Sequence, residues 1–136
     1  MKIVFDTNVI VAGLVARGLC HELIEVHLPL HEPILSAALW DELVAALRNK
    51  FRLETQDLPF LDLYHRHASW VEAEELDGPV SRDPDDDWVL ATALAGQATL
   101  IVTGDDDLLT LGSFQNVEIV TPRQFFERFV SGGSVE

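Results

Sequence analysis

Residues 2–16, "KIVFDTNVIVAGLVA", join a short β-rich run to an apolar helical stretch through a single acidic residue. The β-rich run ends at Asp6, and the apolar run at 9–16 is too short to span a membrane. A buried strand followed directly by a helix is the repeating unit of parallel α/β folds. The same unit recurs further along the chain.

The rest of the chain alternates between short apolar runs and helical patterns. Further strands are predicted at 33–36, 99–103 and 117–120, with a weak one near 70–75. Further helices are predicted at 37–51, 57–70, 85–96 and 121–130. This alternation predicts a three-layer α/β/α fold, in which a parallel sheet of about five strands carries helices on both faces.

The chain has 136 residues, of which 48% are hydrophobic, enough for one domain with a substantial core. We assign that domain to residues 1–130 and predict a disordered tail at 131–136. Cys20 is the single cysteine, so no internal disulfide can form, and a cytoplasmic location is expected. No membrane association is expected.

The net charge of −14 restricts the possible functions. The chain carries 23 acidic and 9 basic residues, and it contains no basic patch with interleaved aromatic residues. Such a protein repels nucleic acid at long range. Any activity on nucleic acid must therefore rest on a local site rather than on overall charge.

Acidic residues stand at one predicted edge of the sheet. In a parallel α/β sheet, the carboxyl ends of the strands and the amino ends of the following helices meet at the edge where such folds bind ligands. The acids that follow strands are Asp6, Asp105 and Asp107, and those in the early turns of helices are Glu42 and Asp87. Their convergence predicts a site.

The segment "SRDPDDDWVLATALAG" at 81–96 sets four aspartates at the start of an apolar helix. The helix is apolar nearly all round, so its pattern indicates only weakly which aspartate faces the sheet edge. We assign Asp87 to the site. Asp85 and Asp86 are interpreted as anions that stabilise the helix N-terminus.

Carboxylates gathered at one site repel one another unless they are protonated or neutralised by a cation. A ligand set of oxygen atoms, without Cys or His, suits Mg²⁺ or Mn²⁺. Such ions commonly act on phosphate substrates. The sequence therefore predicts a Mg²⁺ or Mn²⁺ centre that hydrolyses a phosphodiester.

Four segments carry a family resemblance: "IVFDTNVIVAGL" at 3–14, "S…LWDEL" at 36–43, "RDPDDDWVLATAL" at 82–94 and "LIVTGDDDLL" at 100–109. In this order and spacing they resemble the PIN-domain nucleases, in particular the VapC-like toxins of toxin–antitoxin modules. The resemblance covers about residues 1–130. It implies metal-dependent RNA cleavage, a homodimer or larger oligomer, and inhibition by a cognate antitoxin.

The resemblance also implies roles for individual residues. It implies catalytic, metal-binding acids at four positions: Asp6, Glu42, Asp87 and Asp105. Gly104 and Asp105 stand where many VapC-like toxins carry Arg-Asn, so the fourth ligand remains open between Asp105 and Asp107, and both are included among the metal ligands. Supporting roles are implied for Asn8, Ser36 and Thr103.

The function predicted is a divalent-metal-dependent endoribonuclease for single-stranded RNA, the toxin of a type II toxin–antitoxin pair. A nuclease-dead PIN-like interaction domain is the alternative. The net charge favours that alternative, whereas the filled acid positions oppose it. A phospho-acceptor module is disfavoured because no lysine occurs after Lys50, and a haloacid-type phosphatase is disfavoured because Asn8 stands where its second aspartate is needed.

Overall fold

Strand β1 (Lys2–Phe5) lies inside the sheet of the computed structural model, which describes residues 1–131. The other strands are β2 (Glu32–Leu35), β3 (Ser69–Trp70), β4 (Leu100–Val102), β5 (Ser113–Phe114) and β6 (Val117–Val120). Strand β1 pairs in parallel with β2 on one side and with β4 on the other. Within the described residues the sheet has six strands in the order β3-β2-β1-β4-β6-β5.

Helices connect the strands and form the outer layers of a three-layer α/β/α arrangement. They are α1 (Thr7–Val15), α2 (Leu19–Glu22), α3 (Ala37–Phe51), α4 (Pro59–His67), α5 (Pro84–Ala95), α6 (Asp106–Leu111) and α7 (Pro122–Phe126). Shorter 3₁₀ or π-helical segments are Leu23–His27, Leu28–Leu30, Thr55–Asp57 and Glu127–Ser131. Helix α1 packs against α3, and α3 packs against α5.

The predicted α/β/α fold and its parallel strands are confirmed, with one addition to the sheet. Strand β5 pairs antiparallel with β6 at the sheet edge, so the sheet is mixed. The connecting turn places Gln115 and Asn116 at φ of 46° and 72°. A strand of only two residues leaves no alternation in the sequence, which is why the pattern did not predict it.

The central strands explain the continuous apolar runs of the sequence. The residues of β4 are each 2% exposed or less, and Ile3, Val4 and Phe5 of β1 are equally buried. Strands covered by helices on both faces must be apolar at every position rather than at alternate ones. No helix within residues 1–131 is both long and apolar enough to cross a membrane.

The helix boundaries follow from local capping. Ser36 caps α3 by accepting a hydrogen bond from the Leu39 backbone N–H, and Asp83 caps α5 by accepting one from Asp85. Pro84 occupies the first position of α5, where a missing N–H costs nothing. Residues 132–136, most of the tail predicted to be disordered, lie outside the described residues.

Gly13 packs so closely that we expect Gly13→Ala to lower the free energy of unfolding by about 1–3 kcal/mol. A Cβ at this position would lie 2.7 Å from Ile24 Cδ1 and 2.8 Å from the Cys20 carbonyl oxygen. The matched control is Gly78→Ala, since nothing lies within 4 Å of a Cβ there. Equal urea midpoints for the two variants would contradict the prediction.

Candidate metal centre

Asp6 follows β1 directly, and its side chain is 4% exposed. The Thr103 hydroxyl donates to Asp6 Oδ2 at 2.6 Å, and the backbone N–H groups of Thr7 and Asn8 at the start of α1 favour the charged form of this carboxylate. Burial raises the pKa of Asp6 above its ordinary value, and the charge of Asp105 adds to this effect. The hydrogen bonds work in the opposite direction because they stabilise the charged form.

Thr103 links the ends of two neighbouring strands. It follows β4, is fully buried, and accepts a hydrogen bond at 3.0 Å from the Asp105 backbone N–H while donating to Asp6. Asp105 in turn caps α6, since its Oδ2 accepts from the Leu108 N–H at 3.0 Å. The same residue therefore starts a helix and stands at the predicted site.

Three aspartates form the centre of the site. Asp86, Asp105 and Asp107 each offer a carboxylate oxygen, and these oxygens all lie within 4.8 Å of one another. The pKa of Asp86 is raised to about 7, first by burial and then by the neighbouring carboxylate of Asp105. The Ser81 hydroxyl, which donates to Asp86 Oδ2 at 2.9 Å, opposes this rise.

Glu42 on α3 is held at the same edge of the sheet by a residue of α1. The Thr7 hydroxyl donates to Glu42 Oε1 at 2.6 Å. Burial raises the pKa of Glu42 to about 7, and the nearby charges of Asp85 and Asp6 contribute to this rise. The charge of Asp6 acts on Glu42, and the charge of Asp105 acts on Asp6. The acids therefore form one electrostatically coupled group.

The structure brings together four of the five predicted acids and directs the fifth elsewhere. Both oxygens of Asp87 bind the preceding loop: Oδ1 accepts from Ser81 N–H at 2.8 Å, and Oδ2 from Val80 N–H at 3.2 Å. Asp86 takes the position in the cluster that sequence analysis assigned to Asp87. Asp85, interpreted as a helix-start anion only, lies beside Glu42.

The cause of this difference is the burial of α5. Val89, Leu90, Ala91, Thr92 and Ala93 are all 3% exposed or less, so the helix is buried on nearly every side. Its apolar pattern consequently does not indicate which aspartate faces the sheet edge. The residues three, four and seven positions after Asp86 are among the most buried, but the sequence alone does not rank them.

The three supporting residues have different surroundings. Thr103 contacts the site directly, as described above. The backbone N–H of Asn8 lowers the pKa of Asp6, and the Asn8 residue itself is exposed. Ser36 bonds to the Thr92 hydroxyl at 2.8 Å, so it joins α3 to α5 instead of contacting an acid.

The donor set fits a hard divalent cation. Oxygen atoms on opposite sides of a Mg²⁺ ion lie about 4.2 Å apart, twice the usual Mg–O distance. The oxygens of Asp86, Asp105 and Asp107 lie within 4.8 Å of one another, so a small adjustment of the side chains would let one ion contact all three. Burial first, and neighbouring carboxylates second, raise the pKa values of Asp6, Glu42 and Asp86, and a bound cation would favour their charged forms.

Comparison with known proteins identifies the family to which this fold belongs. The family model described as "PIN domain" matches residues 2–107, from β1 into α6. The fold is similar to a chain in the crystal structure of VapBC2 from Rickettsia felis bound to a DNA fragment from their promoter. The TM-score is 0.60 at 16% identity, over 89% of this chain and 98% of that one. No curated protein matches the chain. Because the family model spans most of the chain, including every acid of the site, this chain belongs to the PIN-domain family.

Proposed function

We propose that this protein is a Mg²⁺- or Mn²⁺-dependent endoribonuclease that hydrolyses phosphodiester bonds of single-stranded RNA. The observation that supports this proposal most strongly is the cluster of Asp86, Asp105 and Asp107 beside Asp6 at the carboxyl edge of a PIN-domain sheet. Hard oxygen ligands gathered at that edge suit a cation that works on phosphate.

In the proposed reaction the acids have two tasks, binding of the cation and acceptance of a proton. Asp86, Asp105 and Asp107 would hold the cation, with Asp6 binding it directly or through water. A bound Mg²⁺ or Mn²⁺ lowers the pKa of a water molecule and offsets charge on the phosphate. Glu42, with its pKa raised to about 7, is suited to accept the proton of the attacking water.

The products follow from the direction of attack. The water oxygen bonds to phosphorus, the bond from phosphorus to the 3′ oxygen breaks, and that oxygen takes up a proton. The fragments therefore carry a 3′-hydroxyl and a 5′-phosphate. One or two cations are compatible with the number of carboxylates available.

Cleavage of a labelled single-stranded RNA is expected with Mg²⁺ or Mn²⁺ and is expected to stop in excess chelator. Mass analysis of the fragments should find 5′-phosphate ends. Cleavage that persists unchanged in chelator would contradict the mechanism. A protein that binds Mn²⁺ but cleaves no RNA would instead favour the alternative, a PIN-like interaction domain without nuclease activity.

We further propose that the protein is the toxin of a type II pair and is inhibited by a cognate antitoxin in the cytoplasm. A basic side chain of the antitoxin would neutralise the carboxylates in place of the cation. The fold similarity to the VapBC2 structure supports this proposal. A cross-link that placed the partner's Arg or Lys far from Asp6 and Asp86 would count against it.

A homodimer or larger assembly is proposed as well. Several large apolar side chains are exposed and would be covered by contact between copies: Val26, Leu30, Leu63 and Trp70 are 52%, 73%, 59% and 41% exposed. Light scattering on the purified protein measures the mass directly.

A further inference from the structure

Arg82 lies at the edge of the acid cluster. Its Nη2 donates to Asp107 Oδ1 at 2.6 Å, and its side chain is 87% exposed. Both residues line an open depression of about 550 Å³, together with Asn8, Gly104 and Asp105. Among the side chains described in residues 1–131, Arg82 supplies the positive charge in this lining.

The loop before Arg82 is hydrogen-bonded to the first turn of α5. Asp87 accepts hydrogen bonds from the N–H groups of Val80 and Ser81, and the Ser81 hydroxyl donates to Asp86. Residues 80, 81 and 83, on both sides of Arg82, are therefore bonded to the first turn of α5, because Asp83 caps the same helix. Arg82 is held over the cluster by its backbone, although its side chain is exposed.

The guanidinium has donors to spare in this position. Arginine carries five N–H groups in a planar fork that matches two oxygens of a phosphate. The contact with Asp107 uses one side of that fork. A phosphodiester that approaches Asp86, Asp105 and Asp107 is repelled by three carboxylates, and one divalent ion neutralises only two of their charges. The guanidinium of Arg82 beside them would offset the remaining repulsion.

We propose that Arg82 contacts the non-bridging oxygens of the scissile phosphate and that Asp87 positions Arg82 by holding residues 80 and 81. This inference rests on the proposed nuclease function and adds a substrate-contacting residue to it. The competing explanation is that Arg82 acts as a plug: its ion pair with Asp107 blocks that carboxylate and keeps the cation out of the cluster.

The first test compares Arg82→Ala with the parent on a labelled single-stranded RNA in Mn²⁺. Loss of a donor that stabilises the transition state costs about 100- to 1,000-fold in kcat. Millimolar guanidinium should restore part of the rate to Arg82→Ala and none to the parent. The control is Arg66→Ala, whose surface pair with Asp62 at 2.7 Å is similar but lies on α4. It should stay within twofold of the parent.

The second test isolates positioning by Asp87. If Asp87 acts through Arg82, the double variant Arg82→Ala/Asp87→Asn should be no slower than Arg82→Ala alone. Independent effects of the two substitutions would contradict positioning. Faster cleavage and tighter Mn²⁺ binding in Arg82→Ala would establish the plug and overturn the proposal, as would a rate equal to that of the parent.

A binding measurement separates this inference from the function on which it rests. Anisotropy of a labelled single-stranded oligonucleotide in Ca²⁺ should give a salt slope smaller by about one in Arg82→Ala. If the salt slopes differ in this way but the parent cleaves no RNA, the proposed nuclease activity is wrong and the phosphate contact of Arg82 is supported. A parent that cleaves, with identical salt slopes for both proteins, would refute the contact alone.

Discussion

Asp86→Asn is expected to abolish the stabilisation by Mn²⁺ and to lower RNA cleavage by at least about 100-fold. Substitutions that only disturb the partner of a metal ligand cost about 10- to 100-fold, so loss of a direct ligand should cost more. Without metal, the variant should be as stable as the parent or more stable. Removal of one charge relieves repulsion from Asp105, whose charge raises the pKa of Asp86.

Asp87→Asn should behave differently. This variant weakens hydrogen bonds from Val80 and Ser81 to a charged acceptor, which should cost about 1.5–3 kcal/mol of stability with or without metal. Its response to Mn²⁺ should remain. Thermal melting of both variants with Mn²⁺ and with chelator makes the comparison, and Asp106→Asn is the control, because Asp106 is exposed beside the cluster.

Two other outcomes for the Mn²⁺ responses of Asp86→Asn and Asp87→Asn would contradict this assignment. If Asp87→Asn lost the Mn²⁺ response while Asp86→Asn retained it, the ligand would be the aspartate that sequence analysis selected. If neither variant changed the response, the start of α5 would serve only as a helix terminus.

The metal-free protein is expected to lose stability as the pH rises from about 4 to about 7. The pKa values of Asp6, Glu42 and Asp86 are raised in the folded state, so in this interval the folded chain binds more protons than the unfolded chain. The free energy of unfolding therefore falls with rising pH. Well above pH 7, Glu42 and Asp86 are ionised in both states, and their contribution to the pH dependence becomes flat.

Mn²⁺ should reverse this trend. At pH 7.5 and at about 100 times its Kd, the ion adds roughly 2.7 kcal/mol to the stability of the folded state. At pH 5.5 the gain should be much smaller, because Asp86, with a pKa of about 7, is then protonated. Urea unfolding at both pH values, with Mn²⁺ and with chelator, measures the four free energies.

The shifted pKa of His31 also affects stability in this interval and needs a control. Burial lowers the pKa of His31, so its contribution to stability rises with pH and opposes that of the acids. The difference between the parent and Asp86→Asn removes this effect, since His31 is present in both. A metal-free difference that is independent of pH would show that the pKa of Asp86 is not raised.

The sequence by itself determined the elements that build the sheet edge. The runs at β1, β4 and β6 are apolar because the strands are covered on both faces, so they are recognisable without a structure. Helix α3 matches its predicted range, 37–51, because Ser36 caps it and Arg52 ends it in a left-handed conformation. Parallel topology then places Asp6, Glu42 and Asp105 at one edge.

Only the tertiary structure decided which neighbouring side chain enters the site. Helix α5 is buried nearly all round, so its rotation is set by packing against the sheet and α3, not by its own pattern. That rotation places Asp86 beside Asp105 and turns Asp87 towards residues 80 and 81. The pairing of Arg82 with Asp107, 25 residues away, arises in the same way. Contacts between distant segments depend on how whole elements pack, and no local spacing encodes them.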